Sequence, residues 1–180
     1  LDAATKNYGF GSGALNALTT GDRNIGIGYD AGGAINTASN TVVIGTYAGD
    51  ALTSGLYSVA IGDYALSTCS TSHGNTAIGR ASLLAATGAY NTALGSDSGE
   101  ANGSGNYNIS VGYSAGDTYP TTGSGNILIG ANSDTAAADS ARTFKVVSYD
   151  GSSTTNHIIS DSSGNMTLAA DLTIGDDFNM

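Results

Sequence analysis

The stretch NTAIG at residues 75–79 decides the fold because it recurs along the chain with little change. The last residue of SVAIG lies 17 residues before the last residue of NTAIG, and the last residue of NTALG lies 16 residues after it. Every copy closes on a glycine, and the eight glycines are Gly11, Gly28, Gly45, Gly62, Gly79, Gly95, Gly112 and Gly130. The steps between them are 16 to 18 residues long. Self-similarity at such a fixed period predicts a solenoid-like array.

Each copy has the alternation of a short β-strand. The residue three positions before the glycine is β-branched or aromatic, and the residue two positions before the glycine is usually small. This pattern predicts one three-residue strand per copy, closed by a glycine that allows a turn or a close backbone approach. The large apolar residue before each glycine is expected to form the repeat core: Phe10, Ile27, Ile44, Ile61, Ile78, Leu94, Val111 and Ile129.

Asparagine opens six of the eight copies, at Asn7, Asn24, Asn75, Asn91, Asn108 and Asn126. Asparagine readily hydrogen-bonds nearby backbone groups, which suits the entry of a strand. If successive coils stack about 4.8 Å apart, these side chains would form a structural ladder along the array. The alternative is a polar row that faces solvent and binds sugar or water.

The chain divides into two parts on its sequence pattern. Residues 1–133 form the repeat array, and residues 134–180 read as a linker followed by a β-rich module. Strand-like runs in that module are residues 144–151, 157–164 and 165–175, and only residues 134–142 suggest a helix. Three strands are too few for an independent core, so we expect the module to intertwine with other chains.

Composition excludes several classes of protein. The chain has 27 glycines, one proline and a formal charge of −10, which argues against a nucleic-acid partner. No run of 18 apolar residues is present, so membrane insertion is not expected. Cys69 is the single cysteine, which rules out a disulfide framework.

Motifs of enzymes and cofactor sites are weak in this sequence. GYSAG at residues 112–116 matches the nucleophile elbow of hydrolases, but it occupies the same register as GYDAG at 28–32 and GTYAG at 45–49. We therefore expect no enzymatic activity, no catalytic residue and no cofactor. Structural calcium is the one candidate ligand, because DSSGN at residues 161–165 is acidic, yet no calcium-binding pattern is complete and no metal site is predicted.

The ten tyrosines provide the best candidates for recognition. Tyr57, Tyr90 and Tyr107 lie five residues before a glycine of the repeat, whereas Tyr47 and Tyr64 lie two residues after one. If these rings are exposed, they could stack on the sugar rings of a cell-surface glycan. If they lie between chains, they are packing residues with satisfied hydroxyls.

Repeats of the form N-T-A-I-G-x-x-A, as in NTAIGRAS (75–82) and SVAIGDYA (58–65), resemble those of phage tail-fibre proteins. They are also similar to the head repeats of trimeric autotransporter adhesins. The resemblance covers residues 6 to 133 and implies a stacked β-roll in an elongated parallel homotrimer. Residues 126–146 and 165–180 resemble further segments of phage fibres, which favours a phage over a bacterial origin.

Together these observations predict an all-β protein with a β-roll or β-solenoid of eight repeats. The expected function is structural, as a rigid segment of a trimeric phage tail fibre on the virion, outside the host cell. Its expected partners are its own copies, other fibre or virion proteins and a cell-surface glycan. The alternatives are a bacterial surface adhesin or extracellular filament and, more weakly, an ice-binding solenoid, which requires a flat threonine array.

Overall fold

The structure is a computed structural model that describes residues 6–117, 122–137 and 139–168. The described residues contain no helix, including at 134–137 and 139–142, and form one sheet of eleven strands in chain order. The strands are β1 (Tyr8–Phe10), β2 (Ile25–Ile27), β3 (Val42–Ile44), β4 (Val59–Ile61), β5 (Thr76–Ile78), β6 (Thr92–Leu94), β7 (Ile109–Val111), β8 (Ile127–Ile129), β9 (Phe144–Tyr149), β10 (Thr154–Ser160) and β11 (Met166–Leu168).

The first eight strands are parallel and pair at equivalent positions of the repeat. Val59 of β4, for example, is opposite Thr76 of β5, and Ile61 is opposite Ile78. Parallel neighbours cannot be joined by a tight hairpin, so the chain must travel around and return between one strand and the next. The result is a β-solenoid of about eight turns, each about 17 residues long.

Hydrogen bonds along the solenoid axis continue outside the strands. The amide of Gly45 donates to the carbonyl oxygen of Ile27 at 2.8 Å, just after the strand. Further along the coil, the amide of Gly32 donates to Ala48 at 2.8 Å, and the amide of Asn36 donates to Thr53 at 3.0 Å. Each coil is therefore bonded to the next at several points around its circumference.

The glycine that closes each strand is required by a close approach between coils. At Gly62 the backbone has φ = 130°, and a β-carbon there would lie 2.4 Å from the carbonyl oxygen of Gly79. The other seven glycines of this column have φ between 110° and 135°. Both the positive φ and the contact with the next coil exclude a side chain.

A second column, two residues after each glycine, has left-handed backbone in every coil. Its members, with φ between 49° and 74°, are Gly13, Asp30, Tyr47, Tyr64, Ala81, Asp97, Ser114 and Asn132. This conformation costs a non-glycine residue about 1–2 kcal/mol. It lets the amide reach the preceding coil, as Tyr47 does when it donates to the carbonyl oxygen of Tyr29 at 2.9 Å.

The interior of the solenoid is narrow and is filled from different positions in different coils. Its largest fully buried aliphatic side chains are Ile35, Leu52, Leu66 and Leu83. A glycine lies beside some of these side chains and leaves space for them. At Gly49, for example, a β-carbon would lie 2.6 Å from Val43 Cγ1 and 2.9 Å from Leu52 Cδ1. Small and large residues thus alternate to keep the interior packed.

The burial of the strands corrects the predicted repeat core. The buried residue of each strand from β2 to β8 is the middle one, such as Ala60, Ala77 or Ala93. The residue before the glycine points to the opposite, outer face, because successive side chains of a strand alternate. Within the chain, the residues wrongly assigned to the core are therefore Phe10, Ile27, Ile44, Ile61, Ile78, Leu94, Val111 and Ile129.

The C-terminal strands extend the same sheet. Strand β9 is parallel to β8, with Phe144 opposite Ile127, and β10 and β11 then continue it in antiparallel order. The array and the module are thus joined by an unbroken ladder. Leu172 and Ile174, which the sequence pattern placed in the last strand-like run, lie outside the described residues, as does the rest of 169–180.

We expect the substitution Gly62→Ala to lower the free energy of unfolding by about 2–5 kcal/mol, since it adds left-handed strain to a clash with Gly79. The matched control is Gly151→Ala, where φ is also positive at 98° but no atom lies within 4 Å. The control should lose only the strain part. Urea unfolding at one fixed protein concentration measures both, and equal losses would contradict the close-approach explanation.

Candidate functional site

The asparagine column forms a ladder between side chains and backbone. Asn91 is fully buried, and its Oδ1 accepts from the amide of Asn108 at 2.9 Å while its Nδ2 donates to the carbonyl oxygen of Gly105 at 2.9 Å. One side chain thus satisfies backbone groups at two places in the following coil. The polar atoms of this side chain are therefore hydrogen-bonded within the solenoid.

The same pattern recurs at most members of this column. Asn24, Asn75, Asn108 and Asn126 are buried, and each Oδ1 accepts from the amide at the equivalent position of the next coil. Asn7, which is half-buried, bonds Asn24 in the same way at 2.8 Å. The hydroxyl of Ser58, one of the two replacements, accepts from Asn75 only at 3.4 Å. The column is therefore an internal support of the solenoid.

The outer face of the sheet carries two columns of mostly apolar side chains, which we call the outer stripe. It comprises the first and third residues of β1 to β8: Tyr8, Ile25, Val42, Val59, Thr76, Thr92, Ile109 and Ile127, and Phe10, Ile27, Ile44, Ile61, Ile78, Leu94, Val111 and Ile129. Phe10 is 78% exposed, Leu94 48% and Ile78 36%. Parallel sheets are normally covered on both faces, and a continuous apolar patch marks a surface for association.

Three tyrosines from successive coils contact one another beside the glycine column. The ring of Tyr47 lies edge-on to Tyr29, with centroids 5.3 Å apart, and stacks on Tyr64 at 5.2 Å. Tyr29 and Tyr64 are about half exposed, and Tyr47 between them is partly buried. The three rings form a continuous aromatic surface across three coils, which we call the tyrosine wall.

A groove of about 300 Å³ lies beside this wall, which we call the Tyr47 groove. It is lined by Asn16, Asp30, Gly33, Ala34, Tyr47 and Asp50. Burial raises the pKa of the Asp50 carboxyl above its ordinary value, and the neighbouring charge of Asp30 raises it further against the effect of backbone hydrogen bonds. Partial burial also raises the pKa of the Tyr47 hydroxyl, as do Tyr29 and the two carboxylates.

The other tyrosine column behaves differently. Tyr90 and Tyr107 stack with nearly parallel rings, 4° apart in plane and 5.3 Å apart in centroid distance. Tyr90 also lies across Gly74, where a β-carbon would meet its ring at 2.6 Å. Tyr57 is 65% exposed. These rings, together with Tyr47 and Tyr64, were predicted from the sequence, whereas the contact of Tyr29 with Tyr47 and the place of Asp30 and Asp50 in the groove were not.

One edge of the solenoid carries hydroxyl residues that bond to the following coil. The hydroxyl of Thr53 donates to the carbonyl oxygen of Ser70 at 3.0 Å, and Thr87 donates to Gly103 at 3.2 Å. Thr19 similarly donates to Asn36 in the next coil. These hydroxyls are engaged along the axis, so the edge is a poor threonine array for ordering external water.

The residues considered for catalysis and metal binding show no assembled site in the described part of the chain. Ser114 of GYSAG is buried. The ring of His157, a histidine that the motifs above do not include, lies in β10 with its Nε2 2.9 Å from the hydroxyl of Ser148. Among the described residues, no three His, Cys, Asp or Glu side chains are grouped to hold a metal ion. They also include no helix of the length and apolarity needed to cross a bilayer.

Comparison with protein-family models, with curated proteins and with solved structures finds no match to this chain.

We expect Asn91→Ala to lower the free energy of unfolding by about 2–4 kcal/mol, because it leaves the buried amide of Asn108 and the carbonyl of Gly105 without their partner. Asn91→Ser should lose less, since serine can keep a long bond of the kind Ser58 makes. Urea unfolding of the two variants at equal concentration provides the test. A loss below about 0.5 kcal/mol for the alanine variant would show that the ladder contributes little.

Proposed function

We propose that this chain is a non-enzymatic structural protein, a segment of a trimeric phage tail fibre exposed on the virion, outside the host cell. The observation that supports this most is the outer stripe, an apolar surface that runs the length of a stiff, axially bonded solenoid. Further copies of the same chain could cover this surface, and such association would build a fibre.

The outer stripe favours a closed ring of identical chains. Eight strands about 4.8 Å apart make it about 38 Å long, but it is only two side-chain columns wide. Three copies around a common axis could place every stripe at the centre, each chain's first column against its neighbour's second. Such a head-to-tail contact closes into a ring and leaves no copy of the stripe in water.

The fibre assignment rests further on the resemblance of the repeats, and of residues 126–146 and 165–180, to phage tail-fibre proteins. A bacterial adhesin or extracellular filament with the same solenoid is the alternative. The proposed partners of the fibre are other copies of the chain, adjoining fibre or virion proteins, and a glycan of the cell surface.

The trimer is tested by the solution mass of the chain, with one variant and its control. Light scattering on a sizing column should give about 53 kDa, three times the 17.7 kDa of the chain. Ile78→Asp places a charge in the middle of the outer stripe and should shift the mass toward that of the monomer. Thr37→Asp adds the same charge at an exposed position outside the stripe and should leave the trimer intact.

A monodisperse monomer for the unsubstituted chain would overturn the trimer, and with it the proposed role of the outer stripe. If both variants keep the mass of the trimer, the chains associate through a surface other than the outer stripe. Circular dichroism of each variant checks that the solenoid itself remains folded.

A further inference from the structure

We propose that the Tyr47 groove binds a small organic cation, an alkylammonium or quaternary ammonium group, by contact with the tyrosine wall and with the carboxylates of Asp30 and Asp50. This adds ligand recognition to the structural role. It does not depend on the trimer, since all the residues that carry it belong to one chain.

The tyrosine wall supplies an electron-rich surface of the kind that attracts cations. Tyr47 is held between Tyr29 and Tyr64, so its ring has little freedom to lose when a ligand arrives. The face of a tyrosine ring attracts a cation electrostatically, and the attraction is stronger where water is excluded. Quaternary ammonium groups are commonly recognised by several aromatic rings together.

The two carboxylates place negative charge in the same groove. The Oδ1 atom of Asp50 is buried and has no hydrogen-bond partner in the described part of the chain. The Asp30 carboxylate lies over the preceding coil, where a β-carbon at Gly13 would overlap its Oδ1. The residues that line the groove include no lysine, arginine or histidine.

The repeat itself provides an internal comparison for Asp30. Asp97 occupies the equivalent position four coils later, and its carboxylate forms an ion pair with Arg80 of the preceding coil. The backbone is arranged alike at both sites, since Asp97 donates to Arg80 O and Asp30 donates to Ser12 O. Ser12 takes the place of Arg80 and carries no charge. Asp30 therefore has no counterpart of Arg80 at this position of the preceding coil, which leaves its carboxylate open to a cation from outside the chain.

The size of the groove suits a compact cation. The groove has a volume of about 300 Å³ and is largely open to solvent, so it can hold a small group at the surface of the solenoid. A trimethylammonium group or an amino sugar could touch the ring of Tyr47 and reach both carboxylates. A neutral sugar could stack on the ring, but it would leave the charges of Asp30 and Asp50 uncompensated.

The test is an NMR titration of the full 180-residue chain, in the oligomeric state that it adopts, at physiological ionic strength. Choline is the probe, and 3,3-dimethyl-1-butanol is its uncharged counterpart of the same shape. The backbone amides of Gly33 and Ala34 report on the groove. We expect saturable shifts with choline in the millimolar range and none with the alcohol.

Three variants locate the site. Asp50→Asn and Tyr47→Asn should each weaken choline binding about tenfold. Asparagine is tolerated at the left-handed position of Tyr47, because Asn132 occupies the same column with φ = 53°. Tyr107→Asn, a matched change in the other tyrosine column, should leave binding unchanged.

The proposal would be overturned by the absence of a saturable shift with choline, by equal shifts with the alcohol, or by tighter binding of a neutral sugar such as glucose. Equal weakening by Tyr107→Asn would also exclude the groove as the site. The solution mass of the same sample separates this outcome from the proposed function, because a trimer that ignores choline leaves the fibre role standing.

Discussion

The hydrogen bonds between equivalent positions of neighbouring coils are the interaction on which the rest of this structure depends. They fix each residue directly beside its counterparts in the coils before and after it. A residue type must therefore suit both its own coil and its two neighbours, which explains why columns, rather than single positions, have a fixed character. At Gly62 the constraint is steric, because the carbonyl of Gly79 occupies the space of a side chain. At Asn91 it is chemical, because the next coil presents an amide and a carbonyl that need partners.

Much of the architecture could be predicted from the sequence because the period and the strand pattern are local. The eight expected three-residue strands are found, and they stack in one sheet with the repeat register. What could not be predicted is which side of each strand faces inward. Alternation separates two faces of a strand but does not say which of them is covered. In a sheet with one buried face the bulky residues usually face the core. Here the inward position is small in most coils, as at Ala60 and Ala77, because leucine and isoleucine side chains from the rest of the coil fill the interior.

The Tyr47 groove was harder to predict than the columns that build it. Tyr47 and Asp30 share a column, but Asp50 occupies another position of the repeat, and the three line one groove only because it extends across neighbouring coils. The same is true of the interior, where the space beside Gly49 is filled by Val43 and Leu52. Such combinations depend on side-chain direction and volume in three successive coils, which a one-dimensional pattern does not contain.

The direction of the bonds between coils also determines how this rod responds to force. These hydrogen bonds lie along the long axis of the solenoid. Tension applied at its two ends therefore stretches them along their own direction, and the strands do not slide past one another. Coils would then peel away one at a time from the end. Each would release about 17 residues, or roughly 60 Å of extended chain. A rod of this kind yields in steps of nearly constant length, which lets it absorb a sudden pull while the remaining coils stay folded.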